Sequence, residues 1–314
     1  MNFIDRALVR VAQRLSNERV PFDSKKYIEV VASIEKYLLS NKNFQGDFNN
    51  SLYEWGTWVE EIFGALSINC GVEKKYRDPF ELEQIKNTMI YPARSLREMA
   101  FKINLCKKSL GSERMSKVVS DDFGTSLKLF PTKYGLATPN NIHHLMHVSS
   151  YISCSGEEIF SSPVYVEFGG GYGNMARLMK LFNESATYVI VDISVILGIQ
   201  YWYLSNTIGE NNISICTDGK IIPGKVNLIS TEIFLDINLH SLFNDFMFIS
   251  TWALTESPEW LQKHKKVRDV LHSAKRLLLA SACDENDFIS EGLPSNVARV
   301  QVPRLEQHHK YMLL

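Results

Sequence analysis

A glycine-rich segment between an apolar strand and a helix is the part of the chain best suited to bind a ligand. Residues 164–182 read VYVEFGGGYGNMARLMKLF, in which four glycines follow the strand pattern Val164–Phe168. A glycine turn lets the backbone approach a ligand closely, and the first turn of the next helix offers unpaired N–H groups. A second apolar strand, Tyr188–Val191, ends at Asp192, whose carboxylate can accept the hydroxyls of a ribose. The pattern predicts a nucleotide or nucleoside site.

The spacing of the glycines and the acid before them separate three kinds of ligand. A dinucleotide site uses G-x-G-x-x-G, whereas here the glycines fall at 169, 171 and 173 and Asn174 follows. Glu167 would repel a pyrophosphate, but it favours a ligand that carries an ammonium and a sulfonium. The absence of a G-K-[ST] ending excludes a phosphate-binding loop. The segment therefore favours S-adenosylmethionine over NAD(P), with an NAD(P)-dependent Rossmann oxidoreductase as the alternative.

Strands and helices alternate through the second half of the chain. Strands are predicted at Val164–Phe168, Thr187–Val191, Val226–Ser230, Phe246–Thr251 and Arg276–Ala282. Helices are predicted at Asn174–Phe182, Val195–Leu204 and Pro258–Ser273, a small added hairpin at Ile213–Cys216, and a closing hairpin from Ala298–Val302 and Lys310–Leu314. Such alternation predicts an α/β fold with a doubly wound, mostly parallel sheet. Right-handed crossovers would place the glycine turn and Asp192 together at the carboxyl ends of the strands.

The first half of the chain has the apolar spacing of helices. We assign residues 1–155 to an N-terminal helical extension and 156–314 to an S-adenosylmethionine-binding core. One long helical pattern runs from Pro79 to Leu110, with a break near Tyr91-Pro92 and a stop at Gly111. The last helix, NIHHLMHVSSYI, leads directly into the glycine segment. We expect the extension to cover the acceptor side of the site or to form a dimer interface.

Composition excludes several classes of protein. The 314 residues carry a net charge of −1, which argues against a nucleic-acid-binding surface. Five scattered cysteines without a CxxC pair indicate reduced thiols, not a disulfide framework or a zinc site. No apolar run approaches the roughly 18 residues of a membrane span. We expect a soluble cytoplasmic protein without a membrane span.

Three sequence blocks together resemble a known family. They are VYVEFGGGYGNMARL, TYVIVDISVILGIQYWYL and DFMFISTWALTESP, and they span about residues 165–260. In these blocks the chain resembles the class I S-adenosylmethionine-dependent methyltransferases, and more narrowly the bacterial sugar O-methyltransferase family. The resemblance implies a Rossmann-like methyltransferase core that methylates a hydroxyl of a sugar or glycoconjugate, as in polysaccharide biosynthesis. A non-catalytic partner protein that keeps this fold is a further alternative.

The resemblance also implies a set of cofactor-binding residues. Glu167 and the glycine turn would hold the methionine moiety, Asp192 the ribose, and Ile193 the adenine. Residues at the ends of the third and fourth strands would line the adenine and the methyl group, with Asp218 as a rival for the adenine. The full set is Glu167, Gly169, Gly170, Gly171, Tyr172, Gly173, Asp192, Ile193, Ser230, Thr231, Ser250 and Thr251.

A sugar hydroxyl is a poor nucleophile, so a general base should accelerate methyl transfer by roughly 10²–10⁴-fold. The candidates are His143, His144, His240 and Glu256. His143 and His147 share a helix face, yet no acidic third ligand lies on that helix, so a metal site is not predicted there. Magnesium bound by Asp236 and Glu256 is conceivable, but no spacing signature indicates it.

Overall fold

The structure, a computed structural model, describes residues 22–40, 61–66, 79–89, 95–120, 129–281, 293, 296–301 and 310–314. The chain divides into two compact units. One comprises Met1–Lys26 and Trp58–Ser153, and the other comprises Tyr27–Thr57 and Cys154–Leu314. The sequence placed every residue before 156 in the helical extension, whereas Tyr27–Thr57 groups with the second unit.

The described part of the first unit is mostly helical. Its elements are helix 61–66, a 3₁₀ turn Pro79–Glu81, α2 (Glu83–Met89), α3 (Leu96–Val118), β1 (Phe130–Thr132), β2 (Gly135–Ala137) and α4 (Pro139–Ser155, whose last two residues belong to the second unit). Ser95 caps α3 by accepting the Glu98 amide. The helix is interrupted at Gly111, as predicted, because the backbone there is non-helical (φ 75°, ψ 164°), and a second helical stretch then continues across the kink to Val118. Burial of Met115 and Val118 explains why the last turns persist.

The second unit is built on one eight-stranded sheet in the order β5-β6-β4-β3-β7-β8-β10-β9. The strands are β3 (Val164–Phe168), β4 (Thr187–Asp192), β5 (Ile213–Ile215), β6 (Val226–Ser230), β7 (Met247–Thr251), β8 (Arg276–Ser281), β9 (Ala298–Gln301) and β10 (Lys310–Leu313). The helices are α1 (Ser24–Ser40, from Tyr27 on in this unit), α5 (Asn174–Phe182), α6 (Ser194–Leu204), α7 (Thr231–Asp236), α8 (Leu239–Leu242), α9 (Ala253–Glu256), α10 (Glu259–Gln262) and α11 (Lys265–Ser273). Single turns occupy Ile159–Ser161, Ser205–Gly209 and Glu210–Asn212.

The sheet confirms the predicted doubly wound, mostly parallel α/β architecture. The chain adds β4 and β6 on one side of β3 and then returns to place β7 and β8 on the other side. The order therefore reverses between β3 and β7, and open α/β sheets bind ligands in the crevice at such a reversal. The closing hairpin is confirmed, since β10 runs antiparallel to both β8 and β9. An antiparallel strand in that position is absent from the 3-2-1-4-5-6 order of dinucleotide-binding sheets.

Strands β3 and β6 are buried along their whole length because helices cover both faces of the sheet. Val166, Val189, Ile229, Phe248 and Leu277 come from five neighbouring strands and belong to one core cluster. The predicted crossover helix Asn174–Phe182 forms within the same bounds.

Two predicted elements differ from the structure. The segment near Ile213 is not a hairpin, because β5 is an edge strand parallel to β6. The helix predicted over 258–273 is two helices, α10 and α11. His264 adopts an extended conformation between them, and its ring accepts the Lys266 amide as the cap of α11. A capping side chain that begins a second helix has no signature in apolar periodicity.

The side chain of Asn227 on β6 forms hydrogen bonds with the backbone of neighbouring segments. Its amide donates to the carbonyls of Tyr188, Ile222 and Lys225 at 2.9–3.2 Å, and its oxygen accepts the Ile222 amide at 2.7 Å. Asn227→Ala is expected to lower the free energy of unfolding by about 2–4 kcal/mol, because buried backbone groups lose their partners. Urea denaturation measures this change.

The exposed Asn211 provides the control for this measurement. Asn211→Ala is expected to change the free energy of unfolding by less than about 0.5 kcal/mol. Equal effects of the two substitutions would contradict the anchoring role of Asn227.

Candidate functional site

The turn after β3 has a backbone that only glycine adopts readily. Gly169 and Gly171 have φ values of 73° and 54°, and β-carbons disfavour this left-handed region. A β-carbon on Gly169 would lie 1.9 Å from the β-carbon of Ala253, so the turn contacts the start of α9 directly. A β-carbon on Gly171 would meet nothing within 4 Å. The turn is therefore packed on one side and open on the other, as a ligand cradle requires.

Glu167 is a fully buried carboxylate at the end of β3. It accepts a hydrogen bond of 2.9 Å from the hydroxyl of Tyr188 on β4. Burial raises the pKa of Glu167 to about 8, the nearby Asp192 charge raises it further, and the Tyr188 hydrogen bond opposes the rise. The absent side chain of Gly170 makes room for this carboxylate, since a β-carbon there would lie 3.1 Å from its Oε2.

Asp192 ends β4, the strand next to β3, and is partly exposed. Its Oδ1 accepts the Ile193 amide at 2.9 Å, and its Oδ2 accepts the side-chain amide of Gln200 at 2.7 Å. Desolvation raises the pKa of Asp192 to about 7, while these hydrogen bonds and one from the Gly170 amide lower it. Acids with raised pKa values are common at functional sites, and the ligand-binding roles of Glu167 and Asp192 stay a prediction.

Gln200 is a site residue that sequence reasoning missed. It lies on α6, is fully buried, and also donates to the Gly171 carbonyl at 2.9 Å. The helix reads SVILGIQYWYL, in which Gln200 is the one amide among apolar and aromatic side chains. A single amide in an otherwise apolar helix could have indicated this role, because a buried polar group needs a hydrogen-bond partner.

Asn174 occupies the position of the third dinucleotide glycine and has a packing role of its own. Its Oδ1 accepts the hydroxyl of Tyr203 on α6 at 3.0 Å. The Tyr203 ring contacts Tyr172 edge-on, with 4.7 Å between ring centres. The start of α5 is thus joined to α6 by a side chain, whereas the dinucleotide fingerprint needs a glycine for close helix packing there.

The predicted residues at the ends of β6 and β7 use their hydroxyls within the protein. Ser230 caps α7 by accepting the Ile233 amide at 3.3 Å. Ser250 donates to the Phe168 carbonyl at 2.9 Å and accepts the Leu254 amide at 3.1 Å. Both residues therefore hold the turns that border the crevice. Thr231 is buried and Thr251 is partly exposed, and a ligand role for all four residues remains a prediction.

Trp252 follows β7 in a strained conformation. Its φ of 79° is the one positive value of a non-glycine residue within the described residues. Its amide donates to the Ala280 carbonyl at 2.9 Å, so the bend is fixed by the neighbouring strand. A bulky side chain held at positive φ is costly, and such strain clusters at functional sites. The segment after β7 is where the family resemblance places the reacting methyl group.

Two candidate general bases lie in the first unit, on α4. His143 is buried and stacks edge-on against His147, with 4.4 Å between ring centres. Burial lowers the pKa of His144 to about 4 and holds the pKa of His147 well below its usual value. His144 is consequently neutral at pH 7 but weakly basic.

The other two candidate bases lie in the second unit. His240 is on α8, and Glu256 ends α9 just beyond β7. Desolvation raises the pKa of the Glu256 carboxyl, although the side chain stays exposed to solvent. Glu256 thus combines access with increased basicity. Asp218, the rival for the adenine, accepts the Lys220 amide at 3.0 Å in a turn.

Within the described ranges, no three His, Cys, Asp or Glu side chains come together as a metal site. Among the same residues, no helix combines the length and apolar character that crossing a membrane requires.

Comparison with known proteins finds similarity only among solved structures. No protein-family model and no curated protein matches the sequence. Magnesium protoporphyrin IX methyltransferase from Synechocystis, solved with S-adenosylmethionine, is 13% identical over 71% of this chain and 98% of its own, with a TM-score of 0.39. Human N-acetylserotonin methyltransferase, also solved with S-adenosylmethionine, is 9% identical over 85% and 67%, with a TM-score of 0.35.

The pyocyanin biosynthetic protein PhzM is 14% identical, with a TM-score of 0.33, and the match covers 55% of each chain. This chain thus spans about half the length of that protein. TM-scores below 0.5 are too low to assign a function. The functional proposal therefore rests on the residues of the site.

Proposed function

We propose that this protein is an S-adenosylmethionine-dependent methyltransferase. The observation that carries the proposal is a pair of acids, the buried Glu167 and the partly exposed Asp192, on either side of a glycine turn that is open at Gly171. The chemistry of these residues fits the cofactor. A buried carboxylate can pair with an ammonium group, a carboxylate at the end of the next strand can accept a ribose diol, and a bare backbone can lie against the methionine moiety.

The same residues disfavour NAD(P), the alternative cofactor. A pyrophosphate beside the turn would lie near Glu167, and the ionised form of this acid, which a ligand ammonium favours, would repel the phosphates. Asn174 also replaces the glycine that dinucleotide sites use for helix packing. No described residue of the turn favours an oxidoreductase over a methyltransferase.

The chain's contribution to catalysis is chiefly alignment. When bound, S-adenosylmethionine would supply a methyl group activated by its sulfonium. Glu167 and Gly171 would hold the methionine moiety of the cofactor, and Asp192 would hold its ribose. The bend at Trp252 would fix the acceptor side of the crevice. Positioning of this kind can lower a barrier by several kcal/mol.

Among the four candidate bases, we favour Glu256 for removing the acceptor proton. It lies in the same unit as the proposed cofactor site, it is accessible, and desolvation raises its pKa above the usual value, which makes it a stronger base. A base works best when its pKa lies near the operating pH, and the pKa of His144 is too low for that.

The acceptor that the family resemblance suggests is a hydroxyl of a sugar or glycoconjugate. The first unit would then contribute to the acceptor side or to a homodimer interface. Radiolabelled methyl transfer to purified sugar nucleotides and oligosaccharides tests this part separately from cofactor binding.

Calorimetry with S-adenosylhomocysteine tests the proposed function. The wild-type protein is expected to bind with a micromolar Kd, and Asp192→Ala is expected to weaken binding on the order of 10²-fold, because the charge-assisted hydrogen bond to the ribose is lost. Asp269→Ala on α11 provides a control that should leave the Kd unchanged. Folded wild-type protein that bound NADH but not S-adenosylhomocysteine would refute the proposal.

A further inference from the structure

The buried amide of Gln200 joins two parts of the proposed cofactor site. Its nitrogen lies 2.9 Å from the carbonyl oxygen of Gly171 in the turn and 2.7 Å from Oδ2 of Asp192. These parts lie at the ends of neighbouring strands, Gly171 in the turn after β3 and Asp192 at the end of β4. A single side chain from α6 therefore fixes the position of the acid relative to the turn.

The orientation of this amide is determined by its surroundings. Both neighbouring groups are acceptors, so only the nitrogen, with two hydrogens, can face them. The remaining oxygen, Oε1, is buried and has no hydrogen-bond partner within the described residues. A buried acceptor without a donor is unfavourable, and an apolar side chain would pack in this helix without that cost. Packing alone therefore does not explain a glutamine at this position.

The amide instead restrains the carboxylate of Asp192. Oδ1 is held by the Ile193 amide and Oδ2 by Gln200, so the plane of the carboxylate is fixed from both ends. The Gly170 amide is a third donor to this carboxylate, so one of its four acceptor sites remains for a ligand. A ribose hydroxyl can then bind without reorienting the acid, which lowers the entropic cost of binding.

We propose that Gln200 is a positioning residue that gives the site its preference for a ribose with both hydroxyls, acting through Asp192. This inference rests on the proposed function, because it assigns the recognition of the cofactor's vicinal diol. A cofactor analogue without these hydroxyls gains nothing from an oriented Asp192, so its binding is indifferent to Gln200.

The test compares the Kd of S-adenosylhomocysteine with that of its 2′,3′-dideoxy analogue. Wild-type protein is expected to prefer the diol on the order of 10²-fold or more. Gln200→Met keeps the length of the side chain and removes its donors. It is expected to weaken binding of S-adenosylhomocysteine about tenfold and to leave the Kd of the dideoxy analogue unchanged. The melting temperature of the ligand-free variant should fall, because the Gly171 carbonyl and Oδ2 of Asp192 lose a donor, and unchanged binding of the dideoxy analogue then shows that the variant is folded.

Gln200→Glu is the second variant, and Gln262→Met is the matched control. Gln200→Glu keeps the shape of the side chain but directs an acceptor at Oδ2 of Asp192. It should therefore reduce the preference for the diol at least as much as Gln200→Met. Gln262 also donates from a buried amide to two carbonyls, those of Thr255 and Ser257, but does not contact Asp192. Its substitution should lower the melting temperature and leave the preference intact.

Equal weakening of both ligands by Gln200→Met and Gln200→Glu, or an unchanged preference, would overturn the role of Gln200. Failure of the wild-type protein to bind S-adenosylhomocysteine at all would instead refute the proposed function. The two failures are therefore distinguishable in one set of titrations.

Discussion

Gly169→Ala is expected to abolish binding of S-adenosylhomocysteine and to lower the free energy of unfolding by about 3 kcal/mol or more. Two costs combine at this position. The φ of 73° disfavours any β-carbon by about 1–2 kcal/mol. The new methyl group would lie 1.9 Å from the β-carbon of Ala253, and a clash of that kind in a packed region costs a further 1–3 kcal/mol. Relief of the clash must move either the glycine turn or the start of α9, and both border the proposed site.

Substitutions at two other glycines distinguish the effects of backbone strain, steric clash and ligand contact. Gly171 has a left-handed φ of 54°, but a β-carbon there meets no atom, so Gly171→Ala should lower the free energy of unfolding by only about 1–2 kcal/mol. The new methyl group would fill the open side of the turn, so this variant should also fail to bind S-adenosylhomocysteine. Gly64→Ala lies in helix 61–66, has space around it and no positive φ, and should leave both measurements unchanged or raise stability slightly. Calorimetry gives the Kd and urea denaturation gives the stability. A Gly169→Ala protein that bound normally would show that the turn does not form the site.

The features that the sequence predicts well are those encoded over a few neighbouring residues. Continuous apolar runs define β3 and β6, and a glycine run between a strand and an amphipathic helix defines the turn. Asp192 follows from the same logic, because parallel strands end at one edge of the sheet. The fold class and the two acids of the site could therefore be predicted without knowing any long-range contact.

The features that the sequence leaves open depend on register and on which helix face is buried. Tyr188 reaches Glu167 because β4 pairs with β3 so that Glu167 lies opposite Ile190, which puts Tyr188 on the diagonal of the same face. A shift of one residue would direct Tyr188 to the other face. The contact of Gln200 with Asp192 likewise requires knowing how α6 is rotated. Grouping Tyr27–Thr57 with the second unit depends on tertiary packing alone.

One such packing contact explains a glycine whose role the sequence does not indicate. Gly198 on α6 has a helical backbone, yet a β-carbon there would lie 2.6 Å from the ring of Tyr27 on α1. Tyr27 and Val31 are both fully buried, so α1 packs tightly against the helix that also carries Gln200. The N-terminal part of the chain therefore supports the helix that orients Asp192, in addition to any role at the acceptor.

Glu167→Gln is expected to stabilise the protein at pH 8 and to weaken S-adenosylhomocysteine binding. The folded-state pKa of Glu167, about 8, lies above the usual 4.5, so the folded protein holds a proton that the unfolded chain releases between these values. Stability is therefore lost as pH rises from about 4.5 to about 8, by up to about 1.4 kcal/mol per pH unit. Glutamine still accepts the Tyr188 hydroxyl but has no charge to bury, so the variant should lack this loss.

Binding should show the opposite dependence on pH. A ligand ammonium favours the charged form of Glu167, so the affinity of the wild-type protein should rise as pH increases from 6 to 8, by up to about tenfold per unit for each proton released. The variant should bind more weakly and retain only the smaller dependence that comes from Asp192, whose pKa is about 7. Urea denaturation and calorimetry at pH 6, 7 and 8 measure both quantities, with the exposed Glu157→Gln as control. Parallel pH profiles for the wild type and Glu167→Gln would show that this buried acid neither titrates on folding nor binds the ligand cation.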